Sequence, residues 1–289
     1  MIDSDASLSR HANHLWLAGG GEMGAAVRAF HWQNTPIGPV EGWPQCLKTA
    51  VAILLRSPVA MVLLWGEDGV MIYNDAYRVF AASRHPAALG MKVREAWPEV
   101  ADFNDNVMTT CLGGGTLSYK DQELVLYRRG NPERVWMDLD YSPVLDEAGE
   151  PAGVIALVVE TTQRVLADQR VQTERERLLQ LFDQAPGFMA MLAGRDHIFQ
   201  MANPTYMQLV GHRAILGKAV RDALPEIAGQ GFFELLDRVF ETGEVFTGNA
   251  LKVALQRNPD GPVEERHVDF VYQPIRDGTG EVTGIFVEG

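Results

Sequence analysis

Only two cysteines, Cys46 and Cys111, occur among the 289 residues. Two thiols so far apart give neither a disulfide framework nor zinc-ligand spacing, and their scarcity fits a reducing, cytoplasmic setting. Long hydrophobic runs are lacking as well: nothing approaches the roughly 18 consecutive apolar residues of a membrane-spanning helix. The opening MIDSDASLSRH has no basic start followed by an apolar core, so it does not read as a secretory signal. Cations are in deficit, 25 Lys and Arg against 38 Asp and Glu, for a formal charge of −13. That balance argues against a broad nucleic-acid surface, which needs clustered Lys and Arg facing phosphates. No His/Cys/Asp group has metal spacing, and no Ser-His-Asp or Cys-His arrangement stands out. The expectation is a cytoplasmic chain without catalytic residues, metal, nucleic-acid partner or membrane insertion. At 289 residues there is room for two domains of ordinary size.

What the chain does have is an internal repeat, the first feature to look for because missing one misreads the fold. Tyr141-Ser-Pro143 through Asp146, Gly149, Glu150 and Gly153 returns as Tyr272-Gln-Pro274 through Asp277, Gly280, Glu281 and Gly284, offset by 131 residues. Upstream, His85 through Gly90, Val93-Arg94 and Pro98-Glu99 returns as His212 through Gly217, Val220-Arg221 and Pro225-Glu226, offset by 127. Asn74-Asp-Ala-Tyr77 matches Asn203-Pro-Thr-Tyr206 at an offset of 129. A small drift in offset means two copies of one fold that differ in their loops.

Each copy predicts the same order of elements. Strands at Ala60–Trp65 and Val70–Tyr73 correspond to Gly187–Leu192 and Ile198–Met201. Asn74 and Asn203 then read as helix N-caps, with Pro204 at a first helical position. A longer helix follows, at Asp102–Leu112 and Gly231–Thr242. Three strands close each copy: Leu117–Tyr127, Val135–Leu145 and Ala152–Glu160, against Phe246–Gln256, Glu264–Ile275 and Val282–Glu288. Their turns carry the expected residues, Gly130-Asn-Pro132, Asn258-Pro-Asp-Gly261, Asp146–Gly149 and Asp277–Gly280. The fold class is α+β: two domains, each a five-stranded antiparallel sheet with helices on one face, joined by a helical linker.

This order resembles the PAS family. The resemblance rests on Asn74–Tyr77 and Asn203–Tyr206, on Gly90 and Gly217, on the Asp-x-x-Gly turns, on Thr242-Gly-Glu244 and on Val268–Pro274. It implies an N-terminal helical lead-in over 1–43, PAS domains at 44–162 and 182–289, and a helical linker at 163–181. The lead-in Trp32–Gln45 is similar to the segment before PAS domains of bacterial sensor histidine kinases. Glu160-Thr161-Thr162 sits where such domains pass their last strand into an exit helix. From there to Asp183 the chain is charged and free of Gly and Pro. Thr161, Thr162, Val171, Leu178 and Phe182 are the candidate signalling-linker residues, the last three on one helical face. Pairing of that face between two copies would make a homodimer; a solvated spacer is the alternative.

Gly19-Gly-Gly21-Glu-Met-Gly24 has the letters of a dinucleotide loop, but no strand precedes it and no βαβ unit surrounds it. A covalent flavin adduct needs a cysteine where Val93 and Val220 stand, so that chemistry is not expected. No histidine falls on the long helix that would present a haem ligand. His85, His197, His212 and His267 read as hydrogen-bonded structure, and both cysteines as small buried hydrophobes. What remains is an interior pocket between sheet and helices, with a small-molecule ligand as the open possibility and no cofactor identified. Its candidate lining is Met189, Met191, Met201, Tyr206, Phe232, Phe233, Leu236, Phe240 and Phe270 in the second copy. In the first it is Tyr73, Tyr77, Trp97, Val107, Cys111, Trp136 and Asp138. The second copy is favoured, because methionines adapt to irregular ligands; side chains that merely fill the core are the competing account.

The resemblance implies the sensory input module of a two-component histidine kinase, which passes a ligand- or partner-induced change through the linker helix to an output domain expected beyond residue 289. A diguanylate cyclase or phosphatase output is also compatible. A ligand-free dimerisation scaffold and a non-covalent flavin or haem sensor are the competing functions.

Overall fold

The computed structural model describes residues 15–17, 19–256 and 261–289. The expected turn at Asn258–Gly261 lies outside these except for Gly261. The chain divides into two compact units, residues up to Gln169 and Arg170–Gly289, so the division falls inside the connecting helix.

The first unit opens with helix α1 (Gly21–Ala29) and helix α2 (Gln45–Arg56), then strands β1 (Met61–Trp65) and β2 (Val70–Tyr73). Helices α3 (Asp75–Ala81), α4 (Val93–Ala96) and α5 (Ala101–Leu112) form the middle, and β3 (Leu117–Leu126), β4 (Glu133–Leu145) and β5 (Pro151–Glu160) close it. The sheet order is β2-β1-β5-β4-β3, with neighbours antiparallel. Helix α6 (Thr162–Gln184) leads on. The second unit repeats the plan with β6 (Met189–Ala193), β7 (Ile198–Ala202), α7 (Pro204–Leu209), α8 (Val220–Ala223), α9 (Phe232–Thr242), β8 (Phe246–Gln256), β9 (Val263–Arg276) and β10 (Val282–Glu288). Its order, β7-β6-β10-β9-β8, copies the first. The expected fold class is the observed one.

Two features add to the expected order. The lead-in is not a separate layer: Leu17, Met23, Val27, Trp32 and Trp43 belong to the same buried cluster as β1, β2, β4 and β5. Helix α2 is absent from the expected order, yet its buried Leu47, Ala50, Val51, Leu54 and Leu55 fall at the three-and-four spacing of one helical face. That face packs against β1 and β2, so all four residues from Met61 to Leu64 are buried and the strand shows no polar alternation.

The glycine-rich run is explained by α1. Asp75 accepts hydrogen bonds from the amides of Glu22 (3.2 Å) and Met23 (2.8 Å), and so supplies the negative charge that a helix N-terminus favours. A Cβ at Gly21 would lie 1.8 Å from Asp75 Oδ2, and the residue has φ +63°, so only glycine fits. A carboxylate already occupies the place where a dinucleotide phosphate would have to sit.

Candidate functional site

Each copy is organised by one buried asparagine. Asn74 Oδ1 accepts from the amides of Met61 (3.1 Å) and Tyr77 (2.9 Å), and its Nδ2 donates to the carbonyls of Ser57 (3.1 Å) and Val59 (2.6 Å). Asn203 repeats this with Met189 (2.9 Å), Tyr206 (2.8 Å), Phe182 (3.3 Å) and Gly187 (2.8 Å). The N-cap therefore also ties the following helix to the first strand and to the segment before it. A second element recurs: Arg84 with Glu99, and Arg213 with Glu226. Each carboxylate also takes a main-chain amide at the end of the third strand, that of Tyr127 just after β3 (2.8 Å) or of Gln256 in β8 (3.2 Å). Burial pushes the Glu226 carboxyl up, but the hydrogen bonds and charge of Arg213 outweigh it and hold the group below the ordinary range.

The first unit encloses a cavity of about 50 Å³ between sheet and helices, lined by fifteen side chains that include Tyr77, Phe80, Trp97, Asn104, Met137 and Tyr141, none of them charged. Trp97 Nε1 donates to Tyr77 Oη at 3.1 Å. Burial holds the Tyr77 and Tyr141 hydroxyls well above the ordinary tyrosine range, so both are neutral donors. Asn104 is only 7% exposed, and its Nδ2 has no hydrogen-bond partner. Behind this wall Tyr73, pushed up to about 12 by burial, contacts His85 Nδ1 at 3.0 Å.

From the cavity a chain of contacts leads to the exit helix. The Arg128 guanidinium lies over the ring of Phe80, a cavity residue, with Cζ 5.0 Å from its centroid. Arg128 is buried and pairs with Glu133 (2.9 Å) and Glu160 (2.7 Å). Thr162, the first residue of α6, donates from Oγ1 to Glu160 Oε1 (3.0 Å) and accepts from the Trp136 amide (3.0 Å). Thr161 Oγ1 and Arg164 both bond Asp121 Oδ1 at 2.6 Å. Burial raises the Glu160 carboxyl, but the hydrogen bond and charge of Arg128, helped by Thr162, leave it below its ordinary value. The hydrogen bond from Thr161, then that from Arg164, likewise holds Asp121 low.

Of the residues expected to line a pocket, Tyr77 and Trp97 face this cavity. Tyr73, Val107 and Cys111 are buried in the same core without lining it. Trp136 and Asp138 point the other way. The inward set on β4 is Val135, Met137, Leu139 and Tyr141, and a strand's alternation sends its neighbours to the opposite face. Asp138 instead accepts from the Asp121 amide (2.9 Å) at the irregular register of β3, as Asp269 does from Ala250 (2.6 Å) in β8. In the second unit Tyr206, Phe232, Phe233, Leu236 and Phe270 are buried together, with Phe240 packed against them. Met189 and Met191 are on the other face, because Ala190 and Leu192 are the inward residues of β6. Met201 is half-buried and stands outside that cluster. The three methionines expected to line that interior thus stand outside the buried cluster of the second unit. Of the linker residues, Val171 and Leu178 are exposed and Phe182 is half-buried. Phe80, Phe103, Asn104, Met137 and Tyr141 escaped the sequence reading, although the Val135–Tyr141 alternation signals the last two.

A five-stranded antiparallel sheet with helices over one face, occurring twice, defines a tandem sensory module. The PAS fold matches residues 55–166 and again 182–289, and the chain belongs to the PAS family. Similar solved structures include the PAS domain of BvgS from Bordetella pertussis, 19% identical over 45% of this chain and 97% of that one, with a TM-score of 0.34. The PAS domain of the histidine kinase ThkA is 21% identical over 35% and 96%, with a TM-score of 0.28. VqmA of Vibrio cholerae, in a complex with ligand and DNA, is 28% identical over 39% of this chain and 49% of that one, with a TM-score of 0.31. Among the described residues no helix is long and apolar enough to cross a membrane.

Proposed function

We propose that the chain is the cytoplasmic input region of a sensor histidine kinase, with the first PAS domain receiving a small molecule and α6 carrying the response. The observation behind this reading is the contact chain Phe80–Arg128–Glu160–Thr162, which links a cavity wall to the first residue of the exit helix. A ligand that favours one position of Phe80 biases Arg128, and with it the bond that holds Thr162, by no more than its differential affinity for the two states. The kinase assignment rests on the similarity of the Trp32–Gln45 lead-in. Homodimerisation is supported by the apolar positions Val171, Leu178 and Leu181, which α6 leaves exposed.

The test is ATP-dependent phosphohistidine formation by the gene product that carries this chain, with and without Arg128→Met. Coupling of about 1–3 kcal/mol predicts a change of roughly fivefold or more in the variant. Absence of phosphohistidine would remove the kinase assignment, and an unchanged rate in Arg128→Met would remove the relay.

A further inference from the structure

The three methionines that β6 and β7 turn away from the core of the second unit form a group of their own. Met191 and Met201 are direct cross-strand partners, and Met189, two residues earlier on β6, shares their face of the sheet. Side chains so opposed have Cβ atoms about 4.5–5.5 Å apart, and a residue two further along a strand lies about 6.6 Å away. A methionine side chain is unbranched, with three rotatable bonds, so three sulfurs at these spacings can turn toward one point. All three are half-buried, neither sealed in the core nor free in water. We infer that Met189, Met191 and Met201 form a site for a soft monovalent cation, Cu(I), held by three thioether sulfurs.

The chemistry of the donors selects the ion. Soft sulfur ligands suit Cu(I), whereas magnesium and calcium take oxygen and zinc takes Cys, His and carboxylate. No group of three or more His, Cys, Asp or Glu that could hold a metal occurs among the described residues. The surroundings fit a single positive charge. On β10, Phe286 stands directly opposite Met191 and Glu288 directly opposite Met189, both half-buried. The ring is one that thioethers pack against favourably, and the carboxylate offers the counter-charge that neutral sulfurs cannot. The first unit keeps the same backbone positions without these donors. Asn74 and Asn203 accept from the amides of Met61 and Met189, which aligns the strands, and Leu63 with its partner Ile72 then falls where Met191 and Met201 stand. Leu63 and Ile72 are wholly buried, with α2 packed on their strands. A half-exposed pair of thioethers in place of a sealed hydrocarbon pair is therefore a property of the second copy.

Titration of the intact chain with Cu(I), buffered by bicinchoninate as competing chelator, tests the inference. The titrated chain carries Cys46→Ser, which removes the more accessible of its two thiols. One Cu(I) should bind per chain, with sulfur neighbours in its X-ray absorption spectrum. Met191→Leu and Met201→Leu should each weaken binding at least about tenfold, and leucine nearly conserves the volume of methionine, so both variants keep the fold. Thioethers carry no proton, so the affinity should stay level between about pH 5.5 and 7.5, where histidine ligands would lose theirs. A chain that takes up no Cu(I), or one whose affinity collapses toward the acid end of that range, would overturn the site. So would binding that survives in the double variant Met191→Leu, Met201→Leu.

Discussion

Replacing Asn74 with alanine removes four hydrogen bonds from a fully buried side chain. At about 1 kcal/mol each the sum is near 4 kcal/mol, but the Ser57 and Val59 carbonyls lie close to the surface and regain water. The unpaired amides of Met61 and Tyr77 dominate, and the expected loss is about 3 kcal/mol, toward the high end for a helix cap. With a urea slope of about 2 kcal/mol per molar the midpoint falls by about 1.5 M. The sequence supplies its own probe: all six tryptophans lie between Trp16 and Trp136, so their fluorescence follows the first unit alone. Asn74→Ala should shift the fluorescence transition. Asn203→Ala should leave that signal in place and lower the circular-dichroism transition of the second unit instead. Asn74→Asp keeps the acceptor but turns a carboxylate oxygen toward two carbonyls, which raises its folded pKa. Its deficit should therefore be smaller near pH 4 and grow as pH rises to 7. A fluorescence midpoint moved by less than about 0.3 M in Asn74→Ala would refute the assignment of this asparagine as the tie between strand, helix and preceding segment.

Two further outcomes follow from the exit helix. The folded pKa of Glu160 is depressed, so its contribution is complete above the ordinary value of 4.5 and is lost as pH falls through the folded value. Acid titration of Glu160→Gln should show a smaller loss of stability below that value than the parent, and parallel curves would discount the Arg128 pair. Leu178→Glu with Leu181→Glu should convert a sedimenting dimer to monomer; a parent that already sediments as a monomer would end the homodimer proposal.

The repeat was legible because it resides in backbone chemistry. Asn74 and Asn203, the Asp-x-x-Gly turns and Pro98-Glu99 with Pro225-Glu226 occupy places where few residues can cap, turn or accept, and they stay in step. The face of each strand was harder to read. On β4 the alternation of Val135, Met137, Leu139 and Tyr141 against Arg134, Asp138 and Asp140 was visible, but Trp136 is a large ring on the outward side and suggested the opposite choice. On β6 the run Phe188-Met-Ala-Met-Leu192 is apolar throughout, so no alternation marks the inward set. Asp138 looked like a pocket polar group because its role at the β3 irregularity depends on the Asp121 backbone, seventeen residues away in sequence. Asn104 gave no signal: next to Asp105 and Asn106 it reads as part of a polar helix surface until the sheet closes over it.

The two buried asparagines have a consequence for how such a chain can diversify. Each bonds only to main-chain atoms, which every residue type provides. The neighbours of the tie can therefore change identity without disturbing it, and Ser57 and Val59 in one copy correspond to Phe182 and Gly187 in the other. The residues that line the interior of the first unit lie elsewhere, on α5 and the inner faces of the strands among other places. A duplicated domain of this kind separates the instructions for its shape from those for the lining of its interior. After duplication one copy can pack its interior with phenylalanine while the other keeps a small cavity, and both still fold.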